Sequence, residues 1–285
     1  MQTIFNALLL GGIYAVMGVG FSLQWGISSI INLSYGTMVI LGSYIALAAF
    51  NHLGIDPFLG LFISGTVLFF LGAIIYRLIL QPLAKSGIVF TLILTFAVAL
   101  ILENFMQAVW SADYRTIRVS YAGISFQFAG AYLPLIRVLA FVVAGVVVSG
   151  LFLFFKQSKT GKGIHAVALD KVGAEAVGID IQKMYRINFA LGAALAGGAG
   201  ALWASIYSFS PHLVGTLVGK VFIIAILGGL GNIWGAAVGG LALGMAETLG
   251  ATFVGAEWQE AIGLVIMVLV LVFRPYGILG QKYYA

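Results

Sequence analysis

Apolar residues occupy this chain in long unbroken runs, separated by short clusters of glycine, proline and polar residues. Each run is about 17 to 25 residues, enough for a helix to cross a hydrocarbon core of roughly 30 Å. The pattern predicts nine spans, at 3–24, 28–50, 58–80, 88–110, 133–155, 187–208, 214–230, 233–250 and 257–273. "NHLGIDP" separates the second span from the third, and "QPLAKSG" the third from the fourth. "SADYRTIRVSYAGISFQFAGAYLP" makes a longer connection before the fifth. Only "GGLGN" separates the seventh from the eighth, so these two could instead form one broken or re-entrant element, giving eight crossings. Either count predicts an all-α polytopic membrane protein, a single transmembrane domain over 1–285.

Composition agrees. Hydrophobic residues make up 62% of the chain and charged ones 8%, with a mean hydropathy of +1.11. A soluble domain carries about 25% charged residues because its surface meets water. A membrane β-barrel would show short alternating segments instead of continuous apolar runs. The opening "MQTIFNALLL" has no basic lead and no cleavage site after its apolar run, and reads as a first span. The absence of cysteine removes disulfides and thiolate chemistry from consideration.

Charge sets orientation. The net charge of +5 is explained by basic residues on cytoplasmic loops, without a nucleic-acid partner. Residues 156–186 hold Lys156, Lys159, Lys162, Lys171, Lys183 and Arg186, six of the 14 basic residues in the chain. That makes this loop cytoplasmic, together with the connection that carries Arg77 and Lys85. Counting crossings puts the N-terminus and the 111–132 loop outside, and the end with Arg274 and Lys282 inside; nine crossings satisfy all of these. Among the 38 glycines, Ala196 with Gly200, Gly235 with Gly239, and Gly240 with Gly244 are spaced four apart. Such pairs let helices approach closely, for sliding or for static packing.

Ionisable residues inside spans are costly and usually functional. Here they are few: Glu103, followed by Asn104 and Gln107, toward the outer end of the fourth span, Lys220 early in the seventh and Glu247 near the outer end of the eighth, with Glu257 and Glu260 flanking the ninth. None reads as mid-membrane, which counts against a proton- or sodium-coupled carrier. Glu103 is the candidate for a solute path, or else a carboxylate hydrogen-bonded between helices. His52, His165 and His212 stand far apart in connections and do not form a metal site. "GTLVGKV" lacks the spacing and hydroxyl of a phosphate-binding loop, and Ser and His do not gather into a nucleophile–base motif. If ATP drives this protein, another chain hydrolyses it.

Within the charged loop, Gly161 and Gly163 are expected to break the chain after the fifth span. From there Ile164, Val167, Ala168, Val172, Ala176 and Val177 recur near helical spacing, predicting one short amphipathic helix that Gly178 ends. Spacing leaves open whether it lies on headgroups or docks in a partner's groove.

"AVALDKVGAEAVGI", Ala166 to Ile179, resembles the coupling loop of ABC-importer permeases. Four further segments resemble the branch that carries branched-chain and other hydrophobic amino acids, with amide and urea permeases as close relatives. These are "GGIYAVMGVGFSLQWGISSIINLSYGTMVILGSYIA", "QPLAKSGIVFTLILTFAVALILEN", "GGLGNIWGAAVGG" and "LVFRPYGILG". Together they span most of the chain in family order. The sequence departs from the pattern after Asn32, where Leu33, Ser34, Tyr35 and Gly36 replace Phe-Ala and then His or Gln before Gly. Phe96 stands in place of a common glycine, and Glu103 in place of an uncharged Gln.

The resemblance implies the ABC-importer permease fold, working in the prokaryotic cytoplasmic membrane as a transport subunit and not as an enzyme. A second, homologous permease would complete the path, two ATPase subunits would bind ATP and Mg²⁺, and an extracytoplasmic binding protein would deliver the solute. It implies ATPase contact at Asp170, Lys171, Glu175, Ala176 and Gly178. Asn32, Tyr35, Glu103 and Asn104 are the expected path residues. The rival classes are a secondary carrier or channel and, further off, a membrane enzyme.

Overall fold

Nine helices long and apolar enough to cross a membrane occur among the residues described by the computed structural model, 1–83, 87–128, 130–274 and 276–280. In chain order they are α1 (Gln2–Ser28), α2 (Tyr35–Leu53), and α3 (Pro57–Ile75), which continues through a π-turn (Tyr76–Leu80) into α4 (Gln81–Leu83). α5 (Ile88–Trp110) and α6 (Leu135–Gln157) follow. Two short helices, α7 (Lys159–Leu169) and α8 (Lys171–Ala176), lead into α9 (Ile181–Ile206). α10 (Val214–Gly228), α11 (Ile233–Phe253) and α12 (Gln259–Phe273) complete the chain. Lys85, Pro275 and Lys282 lie outside the described residues.

Glycine decides the count of nine. Gly229 and Gly231 take φ of +96° and +82°, a region open to glycine at little cost. They close a tight turn in which the Asn232 N–H bonds the Gly229 carbonyl at 3.0 Å. Asn232 then caps α11 by accepting from the Gly235 N–H at 3.0 Å. Two separate antiparallel helices result, and not one broken element.

α1, α2 and α9 form the interior and are buried along most of their length, whereas α5, α6 and α12 expose broad, largely apolar faces. Small residues form the seams. A methyl group placed at Gly244 would lie 2.5 Å from Gly11 Cα, and one at Gly42 would lie 2.5 Å from Gly197 Cα. The α1–α11 and α2–α9 backbones therefore touch. The Ser43 hydroxyl donates to the Gly200 carbonyl at 2.8 Å, and Ser64 to Gly42 at 2.9 Å, tying α2 to α9 and α3. Of the glycine pairs visible in the sequence, Gly200 faces α2, Gly235 and Gly239 face α10, and Gly240 and Gly244 face α1.

Three boundaries differ from the sequence reading. α2 begins at Tyr35, not near 28, because Ser29 (φ +54°) ends α1 and residues 30–34 fold as an irregular link. α9 begins at Ile181, not 187, because Asp180 caps it, carrying the helix beyond its apolar part. The 111–132 connection contains an antiparallel hairpin, β1 (Ser125–Phe128) with β2 (Ala131–Pro134), paired from Ser125↔Pro134 to Phe128↔Ala131. Ala131 and Leu133 of β2 pack on Leu9 of α1, and Tyr132 between them is exposed. At this end of the bundle Tyr121 donates to the Asp56 carboxylate. Burial, and then that bond, push the Tyr121 phenol well above its ordinary pKa. The 156–186 loop lies at the other end.

Candidate functional site

The 156–186 segment is built by three side-chain caps. Ser158 accepts from the Gly161 N–H at 2.8 Å and starts α7. Asp170, in extended conformation with φ −149°, ends α7 and starts α8 by accepting from the Val172 N–H at 3.0 Å. Asp180 accepts from the Lys183 N–H at 2.9 Å and starts α9. Each cap satisfies a backbone donor that a helix start leaves unpaired. After α8, Gly178 turns the chain at φ +83°, and the Gly178 and Ile179 N–H groups bond the Glu175 and Ala174 carbonyls at 2.9 and 3.0 Å.

Two expectations are corrected here. The single helix expected from Ile164 to Val177 is two helices, because Asp170 offers its carboxylate to the backbone and interrupts the ladder. Gly161 and Gly163 do not break the chain; they lie inside α7. Gly161 is where α7 folds back on α6, since a methyl there would lie 2.5 Å from the Phe154 carbonyl oxygen. The apolar set also divides. Ile164 and Val167 are buried, joined by Ala174, which the spacing missed, whereas Ala168, Val172, Ala176 and Val177 face outward. Leu169, Val172 and Val177 are 75%, 78% and 76% exposed. Exposed Asp170, Lys171, Glu175, Ala176 and Gly178 surround them, and the Lys171 ammonium lies 5.7 Å from the Tyr185 ring centroid. A capped, short helical element thus projects apolar tips among mixed charges.

The four expected path residues fall into two groups. Asn32 and Tyr35 are buried at the α1–α2 link. Asn32 donates to Gln24 Oε1 at 2.8 Å and accepts from the Ser34 N–H and hydroxyl at 3.0 and 2.6 Å. Gln24 donates to the Phe189 carbonyl at 2.9 Å, and Asn188 to that of Leu23 at 2.8 Å. Thr95 of α5 donates to the Ile31 carbonyl at 2.9 Å. This amide network satisfies irregular backbone away from water, a condition for such backbone inside a membrane protein. Tyr35 meets Phe21 edge-on, with centroids 5.6 Å apart, and its hydroxyl has no partner among the described residues. Glu103 and Asn104 lie about 12 Å along α5 from Thr95, half-buried and exposed respectively. Asn104 bonds the Leu100 carbonyl of its own helix at 2.7 Å, and Gln107 reaches Glu103 at 3.5 Å.

Sequence reasoning missed one cluster. Lys220 of α10 and Glu247 of α11, read separately as charges near span ends, form a buried ion pair. Tyr14 of α1 donates to Glu247 Oε2 at 2.8 Å, and Gln259 at the start of α12 does so at 3.0 Å. The Lys220 ammonium also lies 5.4 Å from the Tyr14 ring centroid. Four helices thus meet on one carboxylate. The available signal was opposite charge at matching depth, since both residues lie about two turns from the same end of antiparallel neighbours.

Known proteins resemble this chain along nearly its whole length. The family described as branched-chain amino acid transport system, permease component, matches residues 3–271. The chain is 32% identical to the high-affinity branched-chain amino acid transport system permease protein BraD of Pseudomonas aeruginosa, covering 99% of this chain and 96% of BraD. It is 29% identical to the corresponding LivH of Escherichia coli K12, with the same coverage of both chains. Among solved structures, PsaBC from Streptococcus pneumoniae in complex with Fab shares the fold at a TM-score of 0.52 and 13% identity, over 97% of this chain and 93% of that one.

Proposed function

This chain belongs to the permease components of branched-chain amino acid transport systems, and from that premise we propose that it forms half of the path of an ATP-driven importer for branched-chain or other hydrophobic amino acids. A second, homologous permease supplies the other half. Two ATPase subunits bind ATP and Mg²⁺ and dock on the α7–α8 segment, and an extracytoplasmic binding protein delivers solute at the hairpin end. The 156–186 loop and the C-terminal end face the cytoplasm of a prokaryotic inner membrane, with the N-terminus outside.

The supporting observation is the form of the α7–α8 segment. A free loop would absorb a push from below. This one is held by caps at Ser158, Asp170 and Asp180, and it joins α6 directly to α9. Its tip offers Leu169, Val172 and Val177 to an apolar groove, with Lys171 and Glu175 for charge matching. Closure of an ATPase dimer would move this element and the two spans joined to it. ATP shifts the assembly only if it binds one conformation more tightly than the other. Affinity for solute then resides in the binding protein, which suits spans with so few charges.

The test uses the complete transporter in vesicles. Glu175→Ala and Gly178→Val should each lower uptake and solute-stimulated ATP hydrolysis by roughly tenfold or more, as for a central interface residue, while the protein inserts normally. Normal uptake in both would reduce the segment to a surface helix. Uptake that persists without any ATPase would identify a secondary carrier. Competition among leucine-like amino acids, amides and urea then ranks the solutes.

A further inference from the structure

We propose that the hollow between α7 and the start of α9 is a site for the phosphate headgroup of an anionic phospholipid. The hollow has a volume of about 630 Å³. Lys159 and Lys162 of α7 and Lys183 of α9 line it, with the Thr160 hydroxyl beside them. The one salt bridge among the described residues joins Lys220 to Glu247, so no described carboxylate pairs with any of these three ammonium groups. Asp180, the acid on the wall, already accepts the Lys183 N–H with one oxygen. The floor includes apolar Ile179 and Met184.

Lys159, Lys162 and Lys183 are exposed around the hollow and outnumber its one carboxylate, Asp180, so the rim carries net positive charge that attracts an anion. The first turns of α7 and α9 open onto the same hollow and add partial positive charge. A phosphate group with its glycerol and first methylenes matches this combination of cationic rim and apolar floor. Basic pockets at the ends of membrane helices hold such headgroups.

Position favours a lipid over an acidic protein surface. α7 starts two residues after α6 ends, and α9 is itself a span, so both walls stand within about a turn of membrane-crossing helix. Leu169 of the exposed tip lies about 15 Å along α7 from Lys159, and the hollow meets the tip only at Gly178, which follows Val177 and lines its far edge. A lipid phosphate bridging Lys159 and Lys162 to Lys183 would join the base of α7 to the base of α9. The inference requires neither the solute nor the ATPase partner proposed above.

The test compares the purified full chain in detergent and in nanodiscs, using phosphatidylglycerol against phosphatidylcholine and native mass spectrometry to count retained lipid. The variant K159Q/K162Q/K183Q should retain phosphatidylglycerol at least about tenfold less well than the wild type. R77Q/K156Q/R186Q removes the same charge outside the hollow and should stay within about threefold of the wild type. K159R/K162R/K183R should keep the lipid, which separates loss of charge from loss of fold. Equal losses in the two glutamine variants would overturn the site in favour of diffuse surface charge. Equal retention of the two lipids by the wild type would overturn it outright, as would displacement of phosphatidylglycerol by millimolar inorganic phosphate. ATPase binding that depends on these lysines while lipid retention does not would assign the hollow to the protein partner instead.

Discussion

Lys220 and Glu247 are each visible in the sequence as a charge among apolar neighbours, but their partnership is not. They stand 27 positions apart on different helices, and no local pattern links them. Breaking such a buried pair by removing one partner costs about 3–5 kcal/mol, because the other charge is left uncompensated. Removing both costs much less. Lys220→Met should therefore lower the thermal midpoint of the purified protein strongly, and Glu247→Gln should also lower it while keeping oxygen for the Tyr14 hydroxyl. The double variant should be more stable than Lys220→Met alone, giving a coupling energy above about 1 kcal/mol in a double-mutant cycle. Simple additivity would mean that the two charges act independently. Asn32 shows the same limit on sequence reading. Its partners Gln24 and Ser34 are identified only once the link between α1 and α2 is folded.

At the scale of the element, helix existence was legible because a twenty-residue apolar run has few alternatives in lipid. Helix ends were less so, because caps and turns override hydropathy. Asp180 extends α9 past its apolar part, Asp170 cuts one amphipathic stretch into α7 and α8, and Ser29 delays α2. The hairpin at Ser125–Pro134 was lost in a connection whose polar and apolar residues alternate too briefly to stand out. Glycine spacing gave the right seams but not their partners. Gly244 shows what a seam requires. A side chain there would meet the Gly11 backbone, which cannot rotate away as a side chain would. Gly244→Val should therefore separate α1 from α11 and cost about 1–3 kcal/mol, the usual range for overpacking. Gly150→Val, on a face of α6 with no atom within 4 Å of the added carbon, should leave the thermal midpoint almost unchanged. Equal effects would show that the loss comes from replacing glycine in any helix, not from the seam.

At the scale of the molecule, the outward faces of the bundle are not alike. α12 presents Val265, Val268 and Leu269, all exposed and apolar, as a lipid-facing helix should. α5 is just as open on one side, yet that side carries Asn104 and runs beside half-buried Glu103 and Gln107. A polar residue facing hydrocarbon is expensive, so this face is expected to meet water or a second permease when the transporter assembles. The chain contains no cysteine, so one introduced thiol reports its surroundings cleanly. In the assembled transporter, Asn104→Cys should react with a small water-soluble maleimide or cross-link to the partner permease, and solute or nucleotide should change its rate. Leu269→Cys should do neither. If Asn104→Cys is as inert as Leu269→Cys in every nucleotide state, α5 faces lipid and the solute path lies along another helix. If it reacts and the rate follows nucleotide, nucleotide binding is coupled to the outer part of α5, as the docking proposed for the α7–α8 segment requires.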